Sequence, residues 1–264
     1  MRHHGSTGEQ ERDHLWRRWK PGGRHRSGFA AEGARVQLAG RTPGPLDAAA
    51  RAIAAAGGAA DTAVLDAMDE EAVDAHLAQV VARHGSVDIS LNLIKRGDVQ
   101  GIPLVDMTTA DLLRATTVGL QSNFITARAA ARQMSAQGRG VVLHLNSASG
   151  AGAHPGMGST GPADAATESF MRYLAAEVGP SGVRVVGMWT AGVAETLTDA
   201  MITDVAGEGG AGASEVLQMI AGMSVLRRAP RLADVVGAAV FLASDLASGI
   251  TGTMVNVTAG LVLR

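Results

Sequence analysis

VDISLNL at residues 87–93, DMTTADLLRATTVGLQSNFITARAAARQMSAQ at 106–137 and VVLHL at 141–145 decide the fold of this chain. The first and third are short apolar runs of strand length. The middle segment repeats apolar residues at helical spacing and is stopped by Gly138 and Gly140. Strand, long helix, strand in that order is the right-handed βαβ crossover, which makes its two strands parallel. The same alternation continues on both sides. Arg35–Leu38 reads as a strand, and Pro45–Ala56 as an Ala-rich helix ending at Gly57-Gly58. Thr62–Leu65 reads as a strand and Glu70–His84 as a helix stopped by Gly85. Downstream, Ala163–Val178 and Leu232–Ser244 read as helices, Val183–Trp189 and Thr253–Val257 as strands. Ala206–Ser214 is a Gly/Ala-rich loop between helical pieces. The expected fold class is α/β, a three-layer doubly wound parallel sheet whose ligands bind at the carboxyl ends of the strands.

Composition narrows the function classes. The 264 residues, 46% hydrophobic and 18% charged, suit one large α/β domain better than two small ones. A net charge of −2 recruits neither nucleic acid nor anionic lipid. With no cysteine there are no disulfides, thiolate metal sites or thiol nucleophiles, which is compatible with a reducing cytoplasm. No apolar run reaches the roughly 18 residues of a membrane span. The histidines show no metal-ligand spacing, so no metal is expected.

From Phe29 onward the order of local signatures resembles the short-chain dehydrogenase/reductase family. FAAEGARV (29–36) is similar to the end of that family's first helix leading into its second strand, and LAGRT (38–42) to the strand end where the adenosine ribose is read. DISLNLIK (88–95) stands where the family has D-I-x-V-N-N-A-G. Ser147 in LNSASG falls at the catalytic serine, and Gly192 and Thr196 in TAGVAET at the P-G-x-x-x-T turn over nicotinamide. The C-terminal run Leu226–Gly260, containing RLADVVGAAVFLASDLASGITG, is the most specific match. The resemblance implies an NAD(P)-dependent oxidoreductase acting on a small carbonyl or hydroxyl compound, assembled as a homo-oligomer, dimer or tetramer. It also implies a cofactor held by Arg41, Asp66 (beside adenine), Asn92, Gly192 and Thr196. Arg41 after Gly40 is similar to the NADP-preferring pattern, because arginine pairs with a 2′-phosphate.

The departures lie at the chemistry. In the family a tyrosine exchanges the substrate proton, and a lysine four residues on lowers its pKa and holds the nicotinamide ribose. A helical asparagine supports a relay water. Counting from Ser147, the tyrosine position is Thr160 and the lysine position Asp164; the asparagine position is Gly119. The only tyrosine, Tyr173, and the only lysines, Lys20 and Lys95, lie elsewhere. A threonine hydroxyl does not ionise near neutral pH, and a carboxylate at 164 raises the pKa of a neighbouring hydroxyl. Standard catalysis is therefore expected to fall by orders of magnitude, general acid–base chemistry alone being worth ~10²–10⁴-fold. Ser147, Thr160, Asp164 and the loop histidine His154 are the candidate reacting groups. Three readings stay open: a divergent oxidoreductase, a non-redox enzyme using His154 or Asp164, and an inactive binding or scaffold protein on the same fold.

The organisation expected is an atypical basic segment, 1–28, followed by the Rossmann-type domain, 29–264. The family's glycine-rich phosphate turn belongs just before Phe29, yet residues 1–28 carry no apolar strand and no suitable glycine triplet. One explanation is out-of-frame translation. Trp is always TGG, so a shifted reading turns Trp16–Arg17 and Trp19–Lys20 into glycine codons. The coding DNA tests this: a shifted frame without that glycine run overturns it.

Overall fold

The computed structural model describes residues 28–207 and 210–263. The chain divides into two compact units, one running to Val64 and the other from Leu65. Residues 1–27, which include the place of the family's glycine-rich turn, lie outside the described residues.

In the first unit a short helix α1 (Gly28–Ala31) leads into β1 (Arg35–Gly40), α2 (Pro43–Ala55) and β2 (Ala59–Val64). The strands pair in parallel, from Arg35 opposite Ala59 to Gly40 opposite Val64. Helix α2 starts two residues earlier than Pro45 because Pro43 suits the first helical turn, where a missing N–H costs no bond. Gly58 closes the turn after α2: a Cβ there would lie 2.8 Å from Ala30 Cβ and 2.9 Å from Ile53 Cγ2.

The second unit contains α3 (Glu70–His84), β3 (Ile89–Asn92), α4 (Thr109–Gln137), β4 (Gly140–Ser147) and α5 (Thr160–Val178). It continues with β5 (Val183–Thr190), α6 (Asp199–Ala206), α7 (Ala213–Met223), α8 (Leu232–Ala243) and β6 (Met254–Asn256). Its sheet runs β3-β4-β5-β6, every pair parallel. The parallel strands and intervening helices are those of the Rossmann-type doubly wound fold. Among the described residues, however, the strands hydrogen-bond in two blocks: β1 pairs only with β2, and β3 only with β4.

Helix ends follow local chemistry. Thr108 caps α4 by accepting the Asp111 N–H at 3.1 Å, so the helix begins at Thr109 rather than Asp106. Gly138 ends it at φ 73°, a backbone state open to glycine. Alanines 127, 130, 131 and 175 let α4 and α5 come close over Val142, Val183 and Val185, with Met134 and Met171 filling the space between. Helix α5 starts at Thr160, three residues before the Ala163 read from the sequence. That difference places Thr160 in its first turn, with Asp164 one turn later on the same face.

Candidate functional site

Strands β4 and β5 end together, Ser147 opposite Thr190, with β3 stopping earlier at Asn92 opposite His144, and the groups of interest gather at this carboxyl end of the sheet. Ser147 is the last residue of β4. Its Oγ lies 2.8 Å from Ser149 Oγ and accepts the Ser149 N–H at 3.1 Å, turning the chain sharply. The turn packs onto α5. A Cβ at Gly150 would meet Asp164 Cβ at 2.9 Å and Glu168 Oε1 at 2.5 Å, and one at Gly161 would meet the Ser149 carbonyl oxygen at 3.2 Å. Thr160 and Asp164 are both buried. His154 is exposed in the loop that precedes them.

A single segment, residues 93–107, reaches over this end. Its backbone is tied down at Val99, which both donates to and accepts from Ser159 Oγ at 2.7 Å. Gln100 N–H donates to Val205 O at 2.7 Å, and Gly101 N–H to Gly156 O at 2.8 Å. Its side chains bond to the two replaced positions. Gln100 Nε2 donates to Thr160 Oγ1 at 3.0 Å, and Arg96 Nη1 to Asp164 Oδ1 at 2.6 Å. Arg96 Nη2 also donates to Asp98 Oδ1 at 2.8 Å, and Lys95 pairs with Asp204. Neither Arg96 nor Gln100 was singled out from the sequence. A lone arginine or glutamine after a strand carries no signal until the loop folds back.

Asp164 is fully buried, and its Oδ2 has no hydrogen-bond partner among the described residues. Burial pushes its carboxyl up to about 7; the Arg96 guanidinium pulls the other way, while Asp98 and Glu168 add to the rise. Beneath it runs a buried polar chain that sequence reading also missed. Asn123 Oδ1 lies 3.1 Å from His144 Nδ1, and Asn146 Oδ1 lies 2.5 Å from His144 Nε2. Asn146 Nδ2 donates to the Asp164 carbonyl at 3.1 Å, and Trp189 Nε1 to Glu168 Oε1 at 2.7 Å. Burial lowers His144 to about 4, which keeps the ring neutral at physiological pH. Asn146→Ala is expected to orphan polar groups in this chain at a cost of ~1–3 kcal/mol, read from urea unfolding.

The cofactor candidates fit unevenly. Asp66 Oδ1 takes the Met68 N–H at 3.0 Å. Asn92 ends β3, accepting the Ile94 N–H at 3.0 Å and donating to Thr126 Oγ1 at 3.2 Å, so its amide is held in place. After β5, Gly192 lets Ile220 and Leu197 pack where a Cβ would meet them at 2.8 and 3.0 Å, and Thr196 is exposed in the same turn. Arg41 is exposed just past β1 in the first unit. At position 164 a carboxylate stands where a cation would hold the ribose. Among the described residues no cluster of three metal-ligating side chains occurs, and no helix is long and apolar enough to cross a membrane.

Residues 26–262 match the family model described as enoyl-(acyl carrier protein) reductase. The chain is similar to gluconate 5-dehydrogenase of Gluconobacter oxydans, 27% identical over 236 residues that cover 89% of this chain and 88% of that protein. It is also similar to L-rhamnose 1-dehydrogenase (NAD(P)(+)) of Azotobacter vinelandii, 30% identical over 240 residues, covering 89% and 90%. Among solved structures it resembles a 7α-hydroxysteroid dehydrogenase in complex with NADH and 7-oxo glycochenodeoxycholic acid. The TM-score is 0.77 and the identity 27%, with 89% of this chain and 88% of that one covered.

Proposed function

The chain belongs to the short-chain dehydrogenase/reductase family of NAD(P)-dependent oxidoreductases, and on that premise we propose that it acts on a small carbonyl or hydroxyl compound through a rebuilt site with strongly reduced standard activity. One observation carries this reading: the tyrosine and lysine positions hold Thr160 and Asp164, both buried and bonded to Gln100 and Arg96. When bound, the nicotinamide cofactor supplies the hydride. Asp66, Asn92, Gly192 and Thr196 would hold it, with Arg41 favouring NADP. Ser147 would orient the carbonyl. Proton exchange falls to Asp164 or His154, because Thr160 cannot ionise at neutral pH. The homo-oligomeric state and the cytoplasmic location expected from the sequence belong to the same proposal.

A second reading, a non-redox or inactive binding protein, draws support from the 93–107 segment, whose bonds already engage Thr160 and Asp164. Fluorescence titration with NADPH and NADH separates the two. The oxidoreductase reading expects saturable binding, tighter for NADPH. Arg41→Ala should weaken NADPH by about 10–100-fold, the worth of a charge-assisted hydrogen bond. No binding at millimolar cofactor to the folded protein overturns it and leaves the second reading.

A further inference from the structure

Arg96 reaches Asp164 by an unusual route. Its side chain passes over α4 at Gly119, where a Cβ would lie 2.5 Å from Arg96 Cδ and 3.3 Å from Cγ. Those are mid-chain atoms, held at the far end by two carboxylates, so they cannot swing aside without breaking the pairs. Gly119 is buried in the interior of a 29-residue helix, a place where glycine is disfavoured relative to alanine. Asp164 in turn is a fully buried carboxylate with one oxygen on Arg96 and the other unpartnered. A buried charge in that state persists only with a cation beside it. The glycine, the arginine and the aspartate thus form one dependent set on three different elements: α4, the 93–107 segment and α5.

We propose that Arg96 is a positioning residue of the site: threaded through the gap at Gly119, it delivers the site's cation from the loop after β3 and holds Asp164 as the group that exchanges protons there. This rests on reading the start of α5 as the reacting site. It makes the replaced residues a coupled substitution rather than independent losses. The charged groups facing Asp164 are Arg96 and Asp98 from the segment and Glu168 from its own helix, with neutral His144 below.

The test needs no cofactor, so its failure is distinct from failure of the oxidoreductase reading. Gly119→Ala is combined with Arg96→Ala in a double-mutant cycle, read as urea midpoints, and the Asp164 carboxyl is titrated by ¹³C NMR in each variant. With Arg96 present, Gly119→Ala should lower the midpoint, despite alanine's better helix propensity, and move the Asp164 titration upward as the cation is displaced. In the Arg96→Ala background the same change should raise the midpoint and leave the titration where Arg96→Ala alone put it. Arg96→Lys should restore part of the shift, because a cation on a flexible stem can still approach. Equal effects of Gly119→Ala in both backgrounds, or an Asp164 titration indifferent to loss of Arg96, would overturn the proposal. Loss of NADPH binding with the coupling intact would leave Arg96 in its role and remove only the oxidoreductase reading.

Discussion

The combination Thr160→Tyr, Asp164→Lys, Gly119→Asn and Arg96→Ala is expected to raise NADPH-dependent reduction of small ketones by ~10²–10⁴-fold over the natural sequence, the contribution of a positioned acid–base pair. The physical argument lies in what has to be removed as well as added. A lysine at 164 beside Arg96 would put two buried cations within reach of each other, with Asp98 the anion still paired to Arg96. An asparagine at 119 would collide with the Arg96 stem. The triple variant that keeps Arg96 should therefore stay inactive or lose its fold. Initial rates on a ketone panel, with far-UV circular dichroism for folding, check both arms. Activity in the triple variant equal to that of the quadruple would show that Arg96 does not oppose the family's set. A folded quadruple variant with saturable cofactor binding and no gain in rate would place the defect elsewhere.

Arg96→Ala alone should be the most destabilising single change at this end of the sheet. Removing one partner of a buried pair costs about 3–5 kcal/mol, because the other charge is left uncompensated. The loss should depend on pH, with a definite sign. Asp164 in the fold titrates near 7, above its ordinary 3.8. A carboxyl raised in the folded state carries a proton there that the unfolded chain releases, so its contribution to stability falls as pH rises from about 4 to about 7. At pH 5 the folded Asp164 is neutral and needs its cation least, so Arg96→Ala should cost about 1.4 kcal/mol less than at pH 8, the most that a carboxyl titrating near 7 can add over that range. At pH 8 the carboxylate is charged and the cost should be largest. Asp164→Asn should flatten that slope. Urea unfolding at pH 5 and pH 8 reads all three; an Arg96→Ala penalty independent of pH would mean that the pair is not what holds the segment.

Much of the architecture was legible in the chain because it is local. Glu70–His84 carries its own stop at Gly85, and the read helix and the observed α3 coincide. Strand cores such as Val183–Trp189 are apolar runs long enough to be recognised without context. Boundaries moved where a cap decides them: Thr108 delays α4 by its hydroxyl, and Pro43 advances α2. The candidate site was half legible. Residue counting from Ser147 singled out Thr160 and Asp164 as candidates, and the helix that begins at Thr160 puts them one turn apart on one face. Their partners were hidden. His144 sits in an apolar strand, and nothing in VVLHL says that Asn123 and Asn146 lie either side of its ring.

The sequence by itself determined the alternation of strand and helix, the parallel pairing that follows from it, and the absence of a tyrosine–lysine pair at the end of β4 and the start of α5. These depend on composition and on spacing along one chain, which no folding can alter. Only the tertiary structure decided that Asp164 has a cation beside it, that this cation comes from Arg96, and that a missing side chain at Gly119 makes room for it. Residues 96, 119 and 164 are far apart in the chain, and their charges and volumes acquire meaning only when burial strips away water and leaves each with the others as its nearest partners.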